Sequence, residues 1–239
     1  MNLGFGMNNH FLVTVAAAIL IAWFIAPYFV KTIQISKIRK QCRISRAIVF
    51  TYDDGPGNIL TPLLLEVLNR NNARASFFML GRKVTLFSDV ARDVVSSGHE
   101  VGSHSYNHLN AWSKNPLRVI KDIQEGFEIC VQLGPCEYFR PPNGKLTLAT
   151  LLYVWIANHK LGWWTIDSTD SCIDPLPIEK IIERVRNEGG GVILMHDHDR
   201  KNPLKHDYVV NLTCRLIQFA REEGYKICTL KDLQQGALT

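Results

Sequence analysis

Short apolar runs alternate with longer amphipathic segments along the chain from Ala47 onward. Apolar runs bounded by turn residues are typical of buried strands, and apolar positions that recur roughly every three or four residues are typical of helices. The pattern predicts strands over residues 47–52, 73–79, 99–103, 138–140, 161–166, 192–195 and 225–229. The segments between them predict helices over residues 60–69, 84–96, 116–133, 148–158, 178–187 and 209–222.

The alternation of strands and helices indicates the fold class. Strands joined by crossover helices form mostly parallel sheets, so an α/β fold is expected. With seven candidate strands, the sheet is expected to close, or nearly close, into a (β/α) barrel. In such folds the reactive side chains collect at the C-terminal ends of the strands, which directs attention to those ends.

A separate apolar segment precedes these elements. Residues 11–30 carry no charge and are interrupted only by Thr14 and Pro27, and as a helix they would span about 30 Å, the thickness of one hydrocarbon core. The segment predicts an uncleaved transmembrane helix. A cleaved signal peptide is the rival interpretation, but residues 1–10 hold no Lys or Arg. A buried core helix is the third alternative, and it conflicts with a run that is apolar on all faces.

The positive charge of the chain is concentrated around the end of this segment. The net charge of the 239 residues is +5, whereas residues 1–46 hold six Lys or Arg and no acidic residue. Residues 47–239 therefore carry a net charge of −1, which removes the basic face that binding to nucleic acid requires. Positive residues on the C-terminal side of the span predict a cytoplasmic main domain, with an extracytoplasmic domain as the alternative.

Two regions follow from these patterns. Residues 1–46 are predicted to form a membrane anchor and a basic juxtamembrane linker, and residues 47–239 a single domain. The content of 46% hydrophobic and 21% charged residues is typical of a globular protein that buries a sizeable core. The six cysteines form no C-x-x-C pair and no dense framework, so they are interpreted as buried small apolar residues.

Polar residues follow five of the predicted strands. Singly, each group has an ordinary explanation, because Asp-Gly-Pro sequences form turns and Asp or His after a strand often caps a helix. Their matching positions at the ends of parallel strands instead indicate one shared site. The segment from His198 to Lys201 could line the cleft of such a site or form a solvated loop, and the solvated loop is the commoner arrangement. The five groups are Thr51 to Pro56, Ser103 to His108, Arg140 to Gly144, Asp167 to Asp170 and His196 to Asp199.

These residue types allow metal-assisted hydrolysis. Two imidazoles, from His104 and His108, and one carboxylate from Asp53 or Asp54 would leave a coordination position open, as catalytic zinc sites do. A divalent ion there would polarise a carbonyl and lower the pKa of bound water. The other carboxylate would accept a proton, and His196 is suited to protonate an amine leaving group because the ordinary pKa of imidazole is near 6.5.

The same residues resemble the motifs of a known family. The sequences Thr51-Tyr52-Asp53-Asp54-Gly55-Pro56, His104-Ser105-Tyr106-Asn107-His108, Arg140-Pro141-Pro142-Asn143-Gly144 and Leu194-Met195-His196 are similar to four of the five motifs of polysaccharide deacetylases. These are metal-dependent carbohydrate esterases with a NodB-homology domain. The resemblance covers about residues 47–230 and implies a distorted (β/α) barrel, here preceded by one transmembrane helix.

The resemblance also implies a metal site and an oxyanion donor. Asp54, His104 and His108 would bind one divalent metal ion, with zinc favoured over cobalt, nickel or manganese. The backbone N–H of Asn143 would help to stabilise the oxyanion.

Two catalytic groups and their partners are implied in the same way. Asp53 would be the general base, and Arg140 would pair with it and orient it. His196 would be the general acid, and Asp170 would tune it.

The sequence departs from the family pattern at two positions. The family often has Tyr where Asn143 stands, and because a backbone donor survives this change, substrate preference is affected rather than the reaction. The family usually has Trp after the aspartate of its fourth motif, whereas Ser171 follows Asp170 here. Trp163 or Trp164 could replace the missing apolar wall, although ordinary packing within a strand is the simpler interpretation.

The expected function is therefore removal of N-acetyl groups from N-acetylhexosamine units of a poly- or oligosaccharide. Carbohydrates that contain N-acetylglucosamine are the expected partners, in chitooligosaccharide, peptidoglycan or exopolysaccharide form. One alternative is a deformylase or amidase that acts on a lipid-linked sugar, which the membrane anchor makes reasonable. A noncatalytic carbohydrate-binding protein is the other, but a binder needs neither Asp53 nor His196.

Overall fold

The computed structural model describes residues 9–236, so residues 1–8 and 237–239 of the two predicted regions lie outside it. Its strands are β1 (Ala47–Asp53), β2 (Ser76–Met79), β3 (Glu100–Ser103), β4 (Tyr138–Phe139), β5 (Lys160–Leu161), β6 (Ile166–Asp167), β7 (Gly191–His196) and β8 (Lys226–Cys228). Its helices are α1 (Asn9–Ser45), α2 (Leu60–Arg70), α3 (Gly81–Leu86), α4 (Ser88–Ser96), α5 (Pro116–Cys130), α6 (Leu148–Ile156), α7 (Ile178–Glu188), α8 (Pro203–Glu223) and α9 (Leu230–Gln234).

The strands form one curved parallel sheet around β1. All seven residues of β1 are buried, as expected for an apolar strand covered on both faces, and it pairs with β2, β7 and β8. The order β5-β4-β3-β2-β1-β7-β6 leaves β5 and β6 as the two edges. This arrangement confirms the predicted α/β fold and distorted barrel. Because the paired strands are parallel, their C-terminal ends lie on one side of the sheet, which we call the rim.

The prediction of one strand over residues 161–166 is wrong. The two ends of this segment form β5 and β6, which lie on opposite edges of the sheet. Between them, the side chain of Trp163 is fully buried and its Nε1 donates a hydrogen bond to Gln34 Oε1 of α1 at 2.6 Å. The chain therefore crosses from one edge of the sheet to the other, and α1 provides the hydrogen-bond acceptor for the buried Trp163 of this crossing.

Two helical predictions also differ from the structure. The helix predicted over residues 84–96 is divided into α3 and α4, because Phe87 between them has the non-helical angles φ −123° and ψ 52°. Helix α9 was not predicted, and it begins with a capping box in which Thr229 and Asp232 satisfy each other's backbone N–H groups.

Helix α1 fills the open seam between the two edge strands. Ile38 and Cys42 on its C-terminal half are buried in the core of the domain. Ile35 packs against the same core from a partly buried position. The segment after the apolar run, predicted as a basic linker, is thus a helix that covers the barrel.

The basic residues of this segment bind the domain. Arg39 Nε donates to Glu188 Oε2 at 2.8 Å, and Arg43 Nε donates to the Glu188 carbonyl at 3.1 Å. Lys31 Nζ donates to the Gly144 carbonyl at 3.0 Å. Some of the positive residues in this segment therefore dock α1 on the domain, in addition to any effect on membrane topology.

The N-terminal half of α1 is exposed. The helix from Phe11 to Ser45 is long and apolar enough to cross a membrane, and only 6% of its apolar window is buried. A core helix would have that window mostly covered by protein, so the buried-core interpretation of residues 11–30 is wrong.

The cysteines differ in their surroundings, although all six are free thiols. Four are buried, in agreement with their interpretation as small apolar residues. Two others, Cys172 and Cys214, are exposed, so for them this interpretation is wrong. The four buried residues are Cys42, Cys130, Cys136 and Cys228.

Docking of α1 should contribute measurably to stability. Ile38 is 4% exposed and Ile44 is 73% exposed, so the same substitution in the same helix provides a matched pair. We expect Ile38→Ala to lower the free energy of unfolding by about 2–4 kcal/mol, because it removes buried methyl groups and leaves a cavity. Ile44→Ala should change it by less than about 0.5 kcal/mol. Thermal unfolding of the full chain in detergent measures both, and equal shifts would show that α1 does not pack as described.

Candidate active site

The three predicted metal ligands stand on two tight turns at the rim. The chain turns immediately after β1, where Asp54 adopts φ 70°. After β3 it turns again, and His108 adopts φ 64°. The buried Asp122 carboxylate of α5 holds this second turn, because it accepts hydrogen bonds from Asn107 N at 2.8 Å and Leu109 N at 3.3 Å. Asp122 has no place in the sequence analysis, since the contact depends on helix packing.

The turns bring the three ligands together. Asp54 Oδ1 lies 3.5 Å from His104 Nε2 and 3.4 Å from His108 Nε2. In a tetrahedral zinc site with ligand distances of about 2.0–2.1 Å, two ligand atoms lie about 3.3–3.5 Å apart. Asp54 Oδ1 is also buried without a hydrogen-bond partner, as an atom reserved for a cation would be. The donor set and its spacing fit one divalent metal ion.

The two donor nitrogens are prepared for this role. His104 Nδ1 lies 2.7 Å from the Arg140 carbonyl, so Nδ1 carries the proton and Nε2 presents its lone pair toward Asp54. Burial lowers the pKa of His104 to about 3, which keeps the imidazole neutral. In the same segment after β3, the His108 backbone N–H donates to Ser105 Oγ at 3.0 Å, which fixes the turn that carries the second imidazole.

Asp53 lies beside this cluster, held by a buried cation. Arg140 is fully buried, and its Nη1 donates to Asp53 Oδ1 at 2.8 Å and to Thr51 Oγ1 at 2.7 Å. The other oxygen, Asp53 Oδ2, lies 3.8 Å from His104 Nε2. Burial raises the pKa of Asp53, and the charge of Arg140 opposes that rise. The predicted partners Asp53 and Arg140 are therefore in contact, with one carboxylate oxygen directed toward the ligand cluster.

His196 occupies the neighbouring strand and carries its own carboxylate. Its Nδ1 lies 2.9 Å from Asp170 Oδ1, and in the register of the sheet it stands opposite Asp53. Burial works against a charged His196, but the hydrogen bond and charge of Asp170 outweigh it and raise the pKa to about 9. The raised pKa favours the protonated imidazole, the form that a general acid requires.

Arg200 completes this pair, and the sequence analysis did not identify it. Its Nη2 donates to Asp170 Oδ2 at 2.6 Å, and its Nη1 donates to the Asp170 carbonyl at 2.7 Å. Burial disfavours the Asp170 charge, but the hydrogen bonds and charges of His196 and Arg200 hold its pKa at about 2. Asp170 thus stays ionised beside His196.

The interpretation of residues 198–201 as a solvated loop is wrong for three of them. Besides Arg200, Asp199 accepts hydrogen bonds from the first backbone N–H groups of α2, including Leu60 N at 2.9 Å. His198 Nδ1 lies 3.7 Å from Asp54 Oδ2 and is buried without a hydrogen-bond partner. The His-Asp-x-Asp pattern after β7 gave no local sign that these side chains point inward.

Of the remaining predicted residues, Asn143 and Trp164 lie near the rim and Trp163 does not. Asn143 is exposed in a 3₁₀ turn with φ 56°, and its Oδ1 accepts a weak bond from Asn110 Nδ2 at 3.5 Å. Trp164 approaches Gly144, where φ is 62° and a Cβ would meet its ring at 2.7 Å. Trp163 instead packs in the core, as the simpler interpretation holds for that residue.

A cleft opens above the ligand cluster. It has a volume of about 380 Å³. Two of the predicted metal ligands line it, together with the basic side chains of Arg82 and Lys83. Such a cleft can admit a polar saccharide unit next to two of the three predicted metal ligands, Asp54 and His108. Its lining residues are Asp54, Leu80, Arg82, Lys83, Asn107, His108 and His198.

Comparisons with known proteins agree with this geometry. The family model for polysaccharide deacetylases matches residues 40–161, just over half of the chain. A peptidoglycan-N-acetylglucosamine deacetylase of Bacillus cereus is 29% identical over 195 residues, which cover 79% of this chain and 88% of the relative. A chitooligosaccharide deacetylase of Azorhizobium caulinodans is 29% identical over 160 residues, covering 63% of this chain and 73% of the relative.

A solved structure is similar over the same region. It is the crystal structure of a peptidoglycan N-acetylglucosamine deacetylase in complex with 4-naphthalen-1-yl-N-oxidanyl-benzamide, with 26% identity and a TM-score of 0.72. The match covers 79% of this chain and 87% of that chain. The similarity agrees with the curved parallel sheet described above.

Zinc binding should depend on the histidines of the ligand cluster and not on a histidine elsewhere in the domain. Loss of a residue that only hydrogen-bonds to a metal ligand weakens metal binding by roughly 10–100-fold. We expect His104→Gln to weaken zinc binding by more than this, because it removes a ligand itself. His159→Gln is the matched control, since His159 is partly buried against Phe127 and away from the site. Zinc content of the purified full chain after dialysis measures both. Equal zinc content in the two variants would refute the assignment.

Proposed function

Because this chain belongs to the polysaccharide deacetylase family, we propose that it removes N-acetyl groups from N-acetylhexosamine units of a poly- or oligosaccharide. The reaction is hydrolysis of a carbon–nitrogen bond outside a peptide, with acetate and a free amino sugar as products. One observation supports this proposal most strongly. A possible metal cluster of Asp54, His104 and His108 lies beside the Asp53 carboxylate of β1, and His196 of β7 stands opposite Asp53 in the sheet.

The metal would contribute Lewis-acid chemistry. A divalent ion held by the cluster polarises a carbonyl and lowers the pKa of water, and zinc is the ion we propose. The protein supplies the remaining parts of the reaction from its own side chains.

Asp53 is the proposed general base. Its raised pKa gives it more affinity for a proton than an exposed carboxylate has. Arg140 binds only one of its oxygens, so Oδ2 is available to accept a proton from an attacking water molecule. Because Arg140 is fixed by Thr51 and by the Gly162 carbonyl, the carboxylate keeps its direction toward the site.

His196 is the proposed general acid. Nδ1 is bound to Asp170, so Nε2 is the nitrogen that carries the transferable proton into the cleft. When Nε2 donates this proton to the nitrogen of the scissile C–N bond, the bond breaks with release of a neutral amine instead of an amide anion. The backbone N–H of Asn143 is the proposed donor to the developing oxyanion, as the motif resemblance implies.

Residues 11–30 are proposed to anchor this domain in a membrane. The support is the length, composition and exposure of the segment, together with the docking of the rest of α1 on the domain. The domain organisation is thus an anchor within residues 1–46 and a catalytic domain from residue 47 onward. The charge bias favours the cytoplasmic side for the catalytic domain.

A deformylase that acts on a lipid-linked sugar is the second candidate. The observation that favours it is the attachment of α1 to the rim through Lys31 and Gly144. The same acid, base and ligands would serve either acyl group. A noncatalytic binding role is not supported, because the Asp53–Arg140 and His196–Asp170 pairs have no use in binding alone.

Replacing the base should separate turnover from metal binding. We expect Asp53→Asn to lower kcat on acetylated chitooligosaccharide by about 10²–10⁴-fold, because the amide cannot accept the proton. Zinc content should stay at the wild-type level, since Asp53 is outside the ligand set. Parallel assays of acetate and formate release, from acetylated and formylated sugars, decide which acyl group is preferred. Wild-type turnover by this variant would refute the role of Asp53.

The alkaline limit of activity should follow His196. A group whose pKa is raised to about 9 keeps its proton up to that pH and loses it as the pH rises further, so the rate should fall above about pH 9. Asp170→Asn removes the carboxylate that raises this pKa, so the fall should begin at lower pH. Asp167→Asn is the matched control in the same loop, since Asp167 is exposed and only caps Thr169 N. An unchanged alkaline limit in Asp170→Asn, measured from pH profiles of kcat, would exclude His196 as the acid.

A further inference from the structure

The contacts of α1 show in which direction the helix runs along the barrel. Cys42, near the C-terminal end of the helix, lies beside Gly190 at the start of β7. About three turns earlier, Lys31 binds the Gly144 carbonyl on the rim. Earlier still, the ring of Phe24 packs edge-on against Trp112 at a centroid distance of 5.7 Å. Helix α1 therefore runs antiparallel to the strands and passes the rim at Phe24.

The apolar half of α1 leaves the domain at the catalytic end. Residues 11–24 continue the same helix past the rim for about 20 Å. The side chains from Phe11 to Ala18 are all exposed. Since residues 11–30 are the proposed membrane span, its last two turns lie beside the rim, which places the rim loops within about 10 Å of the end of that span, at the boundary of the hydrocarbon and headgroup layers.

The rim next to α1 has the composition of a membrane interface. In the loop after β3 and the start of α5, Trp112 is 55% exposed and Leu117 is 78% exposed. Lys114 and Arg118 are exposed between and after them, and residues 109–121 contain no Asp or Glu. Lys145 Nζ lies 5.0 Å from the Trp112 ring. Tryptophan with lysine and arginine is the combination that favours an anionic headgroup layer.

We propose that the catalytic rim faces the bilayer surface and that the substrate is an N-acetylhexosamine carried on a membrane lipid. This inference rests on the proposed deacetylase function and on the proposed membrane span. A sugar fixed to a lipid headgroup is delivered within the layer that the rim contacts, and its confinement to that layer raises its effective concentration. A thick polymer would instead have to enter between the rim and the lipid surface.

The orientation can be tested with two tryptophans of similar exposure. Trp112 is 55% exposed on the rim, and Trp155 is 50% exposed near Lys37 and Gln41, toward the opposite end of the barrel. The full chain is reconstituted in phosphatidylethanolamine and phosphatidylglycerol vesicles, with some lipids brominated near the headgroup end of the acyl chains. We expect Trp112→Phe to lose part of the bromine quenching and Trp155→Phe to lose none. Loss of quenching in Trp155→Phe alone, or equally in both variants, would overturn the orientation.

The substrate class can be tested in the same vesicles. The probes are an N-acetylglucosamine glycolipid with a long alkyl chain, placed in the bilayer, and soluble acetylated chitooligosaccharide at the same total concentration. We expect acetate release from the glycolipid to be at least about tenfold faster. Equal or faster turnover of the soluble sugar would overturn the lipid-linked substrate and leave the deacetylase proposal standing. No acetate from either probe would overturn the deacetylase proposal itself, while the quenching experiment would still decide the orientation.

Discussion

The buried guanidinium of Arg140 is the constraint around which the site is organised. A cation with no exposed surface needs a counter-charge and hydrogen-bond partners, since isolated burial of a charge costs several kcal/mol. Asp53 and Thr51 on β1 bind Nη1, and the Gly162 carbonyl after β5 binds Nε, whereas Nη2 is buried without a hydrogen-bond partner. The backbone carbonyl of Arg140 also accepts from His104. One residue on the end of β4 thereby orients both the proposed base and a proposed metal ligand.

Two ion pairs at the rim keep opposite protonation states close together. On β1, burial raises the pKa of a carboxylate whose guanidinium partner occupies only one oxygen. Beside β7, Asp170 and Arg200 stabilise an imidazolium. The parallel register sets Asp53 and His196 opposite each other, so the proposed proton acceptor and proton donor are neighbours at the rim. The different roles of Asp53 and His196 thus depend on neighbouring side chains that lie far away along the chain.

The sequence was sufficient for the fold class and for the residues that follow the strands. Periodicity located β1, β2, β3 and β7 to within a few residues, and the parallel topology then made their ends converge. It failed where a segment depends on a distant partner. The apolar residues between Leu161 and Ile166 have the composition of one strand, yet the docking of α1 through Gln34 divides them between two edges. Arg200 and Asp122 were missed for the same reason, because their roles lie in contacts with Asp170 and with the turn after β3.

The insertion of α1 into the seam between β5 and β6 ties the anchor to the integrity of the domain. If the chain were cut near residue 46, the seam would lose the contacts of Ile38 and Cys42 and the hydrogen bond that satisfies the buried Trp163 indole. A part released by a cut at this junction would lack the element that closes its barrel. A cut that leaves the barrel closed would have to fall before the docked half of α1, which packs on the core through Ile35, Ile38 and Cys42.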